Sequence, residues 1–225
     1  MTSTIEPMST APTRAERALA TRRRMVRAAY ESFCRHGYLG TTINAVADAA
    51  GVAVPTVYYT FGTKAALLRE SLGAAIVGFD LWREPPREPV DLAEVLGWHE
   101  WWADFEAAPT AARALDVFVT HGAVILRRVG PLVAALHGAS GDPEAAEVLR
   151  ISEERRVDSY RTMVRAIARK PGGLRRGITE AVATDIVVAL FSAELYQAFA
   201  VGRGWSPTRC TAFFKEILAA QLLAH

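Results

Sequence analysis

Apolar residues along this chain of 225 residues recur at helical spacing, and no stretch sustains the two-residue alternation of β-branched side chains that a half-buried strand requires. The pattern predicts an all-α protein. Val26, Ala29 and Phe33 form a stripe on a first helix that runs to Arg35 and ends at Gly37, where a left-handed turn is wanted. Ile43, Val46, Ala47 and Ala50 mark the inward face of a second helix, which either Thr41 or Thr42 can cap. Gly51 turns the chain, and Pro55 opens a third helix that ends at Phe61. Further stop signals at Gly62, Pro85 to Pro89, Pro109, Gly138 to Pro143, Pro171 to Gly173 and Gly202 to Pro207 divide the remainder. About eight or nine helices are expected in all, with no internal repeat. Asp142-Pro143 and Ser206-Pro207 each place a capping side chain before a proline suited to a first helical turn.

Composition narrows the class. Hydrophobic residues make up 51% and charged residues 22%, the balance of an ordinary globular chain and far from disorder. The first 13 residues hold no Lys, Arg or apolar run and read as a disordered arm rather than a signal peptide. The longest uncharged apolar stretch, Val117 to Leu126, is 10 residues against the ~20 that span a bilayer, so a cytoplasmic protein with no membrane partner is expected. Cys34 and Cys210 lie 176 positions apart and make neither a disulfide framework nor a metal motif. The net charge of +2 hides a division. Residues 1–64 carry eight basic and four acidic side chains, a net of +4, and the rest carries −2. A local positive potential of this kind points to a polyanion more strongly than the whole-chain value does.

Two short helices joined by a Gly-containing turn form a helix-turn-helix, whose second helix enters the major groove of DNA. The small Ala47 and Ala50 permit the close crossing that such a pair needs. The residues Met25-Val26-Arg27-Ala28-Ala29, Phe33, Gly37-Tyr38, Thr41-Thr42-Ile43, Val46-Ala47, Ala50-Gly51-Val52, Pro55-Thr56-Val57-Tyr58-Tyr59, Phe61 and Lys64 to Leu68 resemble, in order and spacing, the DNA-binding domain of TetR-family (TetR/AcrR-type) transcriptional regulators.

That resemblance implies a three-helix DNA-binding domain over 14–64 and an α-helical ligand-binding and dimerisation domain over 65–225. It implies DNA contacts from Thr41 or Thr42 at the second helix, from Thr56, Tyr58, Tyr59 and Thr60 on the recognition helix, and from Lys64 as a phosphate clamp, with Arg24 and its neighbours Arg14, Arg17, Arg22 and Arg23 adding phosphate or minor-groove contacts. Val57, Phe61 and Leu67 read as core. Ala53 stands where a Ser would cap the recognition helix, and that helix carries no Arg, Lys, Asn or Gln. Base reading is therefore expected from hydroxyl and apolar contacts and from DNA shape. The expected activity is a ligand-responsive repressor on a pseudo-palindromic operator. The alternative is a dimeric DNA-binding or adaptor protein of the same fold without a ligand.

In the C-terminal part, the stretches Ile178 to Gly202 and Pro207 to Ala224 are apolar around most of their circumference. Burial on every side predicts an intersubunit four-helix bundle in a homodimer, through Ile186, Ala189, Leu190, Ala193, Phe213, Ile217, Leu218 and Leu222. Val95, Trp98, Trp102 and Phe105 read as one helical stripe, with Trp101 turned off it beside His99, Glu100 and Asp104. Trp98, Trp101, Trp102 and Phe105, with Phe118, His121, Tyr160 and Met163 on neighbouring helices, are the candidates for an effector pocket. His99-Glu100 begins like a zinc-protease motif, but Ala103 occupies the second ligand position. With no nucleophile elbow, P-loop or dinucleotide fingerprint, neither catalysis nor a cofactor or metal is expected.

Overall fold

The computed structural model describes residues 13–83 and 97–224. Ten helices occur among them: α1 (Arg14–Gly40), α2 (Ile43–Ala50), α3 (Val54–Phe61), α4 (Lys64–Val77), α5 (Trp101–Ala107), α6 (Ala111–His137), α7 (Pro143–Ala168), α8 (Glu180–Leu190), α9 (Ala193–Ala200) and α10 (Pro207–Leu222). The only β pairing among the described residues is an isolated bridge between Leu174 and Leu223. The all-α expectation stands, and the proposed arm and Val95 lie mostly or wholly outside the described residues.

Local chemistry sets the helix ends. Gly37 breaks α1 internally with φ of 72°, and Gly51 closes α2 in the left-handed region at φ 65°, ψ 43°. Thr42, not Thr41, caps α2, accepting from the Ala45 N–H at 3.1 Å. Asp142 and Ser206 cap α7 and α10 as their sequence positions predict. The single long helix expected from Ile178 to Gly202 is instead two. Phe191 leaves the helical region and Ser192 caps α9 through the Leu195 N–H, so the chain bends where a phenyl ring turns into the core. That break is one reason the helix number exceeds the expected eight or nine.

The first three helices fold around Val26, Ala29, Phe33, Val46, Ala47 and Val57, all at most 1% exposed, as the stripe predicted. α4 packs against α1 on one side and against α6 and α7 on the other. The central helix is α6, which runs through Pro131 and touches α1, α4, α5, α7, α9 and α10. α6 and the α8–α9 stretch are long and apolar enough to cross a membrane by length and composition, a property the uncharged-run argument missed. Here both are packed as bundle helices: Val119, Leu132, Leu136, Val187 and Phe191 are almost fully enclosed by other helices.

Candidate DNA-reading face and internal cavity

The three-residue turn Gly51–Ala53 sets α3 across α2. Its N-terminus has no side-chain cap, as the alanine at position 53 predicts. Val57 and Phe61 point inward, so Tyr58 and Tyr59 are left outside, 52% and 94% exposed. Thr42 and Thr56 share the exposed surface with them, and so does Asn44, which the sequence reading did not single out although it lies in the first turn of α2. Thr60 is half-buried and donates its hydroxyl to the Thr56 carbonyl at 2.8 Å, which leaves its oxygen as an acceptor. Together these side chains present hydroxyls, two aromatic rings and one amide to solvent.

Several expected DNA contacts are committed elsewhere. Thr41 is 1% exposed, and its hydroxyl donates to the Gly37 carbonyl at 2.8 Å, so it braces the turn after α1. The Lys64 ammonium donates to the carbonyls of Tyr38 and Thr41 at 2.9 and 3.1 Å and lies over the Tyr38 ring. It therefore ties α4 to that same turn before it can reach any phosphate. Arg24 donates from Nε to the Ala50 carbonyl at the end of α2. Arg22 makes a bidentate pair with the buried carboxylate of Glu70, and Arg23 donates to the carbonyls of Trp82 and Asp80. Arg27 pairs with Asp80 at 3.4 Å. Two acidic residues from beyond position 64 thus fold back onto the basic helix and weaken the excess of charge counted over 1–64. Arg14, Arg17 and Arg35 remain exposed.

The body of the protein holds a partly open cavity of about 230 Å³ between α4, α6 and α7, flanked by His99, Trp101 and the start of α9. α6 contributes Phe118, Gly122, Ile125, Leu126, Val129 and Val133, α7 contributes Val148, Leu149, Tyr160 and Met163 among others, and α4 contributes Arg69, Leu72, Gly73 and Ile76. Four of the eight aromatic-cluster candidates therefore line it: Trp101, Phe118, Tyr160 and Met163. His121 does not, because its ring stacks on Trp101 at 5.6 Å and 10°. Trp102 and Phe105 do not either; they stack on each other at 5.2 Å, with Phe105 buried in core. Trp98 lies in a turn before α5, so it shares no continuous helical stripe with Trp102. The lining missed from the sequence had a signal in Gly122 and Gly73, each inside a helix, where glycine is disfavoured without a packing reason. A Cβ on Gly122 would meet the Phe191 ring at 2.5 Å.

Polar groups in the cavity wall are mostly satisfied. The buried Tyr160 hydroxyl donates to the Phe191 carbonyl at 2.8 Å, and burial pushes its pKa up to about 12. Arg156 engages Glu153 and the Val188 carbonyl, and Glu194 meets His137 at 3.1 Å. Among the described residues the fully buried side-chain atom without a hydrogen-bond partner is Arg128 Nε, not a nitrogen of His99, which is 7% exposed and lines the cavity. Burial first, then the charges of Arg128 and His121, hold its pKa below the ordinary histidine value. His121 is lowered too, again chiefly by burial.

Of the eight residues expected at a subunit interface, Ala193, Leu218 and Leu222 are buried within the protein's own core and are removed from that set. The intramolecular break at Phe191 turns Ala193 inward, and Leu218 and Leu222 face α6 and α8 from the inner side of α10. Ile186, Leu190, Phe213 and Ile217 are half-covered and Ala189 is exposed. With Val182 at 47% and Val201 at 76% exposure, and the rings of Phe199, Trp205 and Phe213 clustered with centroids 4.3 to 5.7 Å apart, they leave apolar surface in this region.

Residues 25–71 match the family model described as "Bacterial regulatory proteins, tetR family". No curated protein matches the sequence. Among solved structures, the fold is similar to the transcriptional regulator FadR from Bacillus subtilis in complex with stearoyl-CoA, at a TM-score of 0.65 and 14% identity, covering 87% of this chain and 96% of that one. A TetR-family regulator from Rhodococcus sp. superposes with a TM-score of 0.65 at 15% identity, over 89% and 97% of the two chains. A regulator from Saccharomonospora viridis in complex with choline gives 0.64 at 18% identity, over 91% and 98%.

Proposed function

We propose that this chain, a TetR-family transcriptional regulator by its N-terminal domain, binds a two-fold DNA operator as a homodimer and releases it when a lipophilic or aromatic small molecule fills the internal cavity. It acts as a cytoplasmic repressor and not as an enzyme. Thr42, Thr56, Tyr58 and Tyr59 face the DNA, with Thr60 and the remaining ammonium proton of Lys64 as secondary contacts. Tyrosine and threonine hydroxyls reach phosphates, and rings and methyl groups meet thymine methyls. The half-covered apolar side chains of α8 and α10, above all Ile186, Leu190, Phe213 and Ile217, meet their two-fold mates.

One observation carries the coupling. The same helix, α4, lines the cavity with Leu72, Gly73 and Ile76 and is fixed to α1 of the reading head through Arg22 and Glu70. A ligand that displaces α4 therefore acts on the head through a bidentate, partly buried joint, and it can shift the equilibrium only as far as it prefers one state over the other. Two proteins of similar fold are in complex with stearoyl-CoA and with choline, which supports a small-molecule ligand for this chain. The ligandless alternative calls for a filled core, and the cavity argues against it. Duplexes selected from a random pool, titrated by fluorescence anisotropy against wild type and Tyr59→Ala, test the reading. Loss of affinity with an unchanged sedimentation coefficient for the dimer is the expected result, and unchanged affinity overturns the assignment.

A further inference from the structure

We infer that the molecule taken up by the cavity is a small uncharged lipophile carrying one hydroxyl group, which exchanges a hydrogen bond with the imidazole of His99. This inference rests on the ligand-sensing reading and specifies its chemistry. The size comes first: about 230 Å³ lies below the ~300–1,000 Å³ of drug-sized sites. A substituted benzene ring is of a suitable size. Trp101, Phe118 and Tyr160 offer ring faces and edges that favour an aromatic occupant.

The polar requirement comes from His99. Only two polar side chains of the described wall are more than nine-tenths buried, Tyr160 and His99, and Tyr160 has its partner in the Phe191 carbonyl. The ring nitrogens of His99 are not among the fully buried atoms that lack a partner; in the cavity wall they keep accessible surface, where the polar group of a ligand can pair with them. A neutral imidazole offers one N–H donor and one lone-pair acceptor. A hydroxyl can match either ring nitrogen, whereas a carbonyl matches only the donor. The charged members of the wall are Arg69, Arg155, Arg156, Glu153 and Glu194, of which Arg156 pairs with Glu153 and Glu194 meets His137 outside the wall; a carboxylate is disfavoured because entering the apolar interior strips its charge of water. Arg69 is solvent-exposed, and Arg128, which lies near His99, donates to the Ile76 carbonyl and does not line the cavity.

The test is calorimetric titration of the dimeric protein with p-cresol, its hydroxyl-free isostere p-xylene, and 4-methylbenzoate. The wild type is expected to bind p-cresol about tenfold tighter than p-xylene, the range of one net hydrogen bond, and to bind 4-methylbenzoate more weakly than p-cresol. His99→Phe is expected to erase the preference for p-cresol while retaining p-xylene, which also reports an intact cavity. His99→Gln, with a donor and an acceptor of its own, is expected to keep part of the preference. An undiminished preference in His99→Phe, no preference in wild type, or tighter binding of 4-methylbenzoate overturns the inference while leaving the cavity's role as a ligand site standing. Failure of wild type to bind any of the three overturns both.

Discussion

In the reading head with α4, the buried side chains of Glu70, Thr41 and Ser71 are engaged inside the protein: Glu70 takes two N–H groups of Arg22, Thr41 donates to Gly37, and Ser71 donates to the Leu67 carbonyl. In the body, the largely buried His99 ring lines a cavity and keeps accessible surface there. Under the proposed function the difference follows from what each region recognises. A DNA surface is read by groups held outward on a stiff frame, so the frame is filled and its polar groups are satisfied. A small molecule would be read from inside, so the body keeps space and an accessible hydrogen-bonding group.

The largest effect that can break this comparison lies at the joint. Arg22→Met leaves the Glu70 carboxylate, whose side chain is 4% exposed, without its cation, and breaking a buried pair in this way costs on the order of 3–5 kcal/mol. Urea unfolding should show the loss; a change under about 1 kcal/mol would mean the joint is no stiffer than a surface ion pair. Next is Gly122→Val, which drives new carbons into the Phe191 ring. About 1–3 kcal/mol of destabilisation is expected from such overpacking, with ligand binding reduced because the same residue lines the cavity. Calorimetric unfolding and a p-cresol titration check the two halves.

These two regions were also unequally legible in the sequence. The head is built from local rules: a glycine at each left-handed turn, a threonine cap, and apolar residues at helical spacing, so Val26, Phe33, Val57 and Phe61 could be placed inward from pattern alone. What the pattern hid was where charged side chains go. Lys64 and Arg22 to Arg24 look outward in a linear count, yet their partners are backbone carbonyls and acidic groups 23 to 59 positions away. The body depends on such distant contacts throughout. Trp101, Phe118, Tyr160 and Met163 were found as an aromatic concentration, but the share of α4 in the cavity wall and the break at Phe191 arise only when helices far apart in the chain pack together. The apolar periodicity of Ala193, Leu218 and Leu222 is the same whether a helix meets its own core or a second subunit.

Smaller effects sharpen the comparison. Tyr59→Ala removes a side chain that is 94% exposed, so stability should stay within about 0.5 kcal/mol while DNA affinity falls about tenfold; a large stability loss with intact DNA binding would place Tyr59 in the frame instead of on the reading surface. The smallest is a pH effect. Burial lowers the His99 pKa from 6.5, so the folded state stays neutral while the unfolded chain takes up a proton. Stability is therefore retained above pH 6.5 and declines as pH falls below it, by at most about 0.7 kcal/mol between pH 7 and 6 for one histidine. His121 moves in the same direction with a smaller weight because it is more exposed. His99→Phe should flatten the pH dependence of the denaturation midpoint, and a steeper one would contradict the neutral imidazole.

The central claim is that the filled head and the hollow body are linked through α4. It is tested most directly by measuring the dissociation constant of the dimer for a selected operator duplex, with and without saturating p-cresol. The account predicts that p-cresol weakens operator binding by at least about tenfold and that the duplex weakens p-cresol binding by the same factor, as linkage requires. Operator affinity that does not change when the cavity is occupied would contradict it.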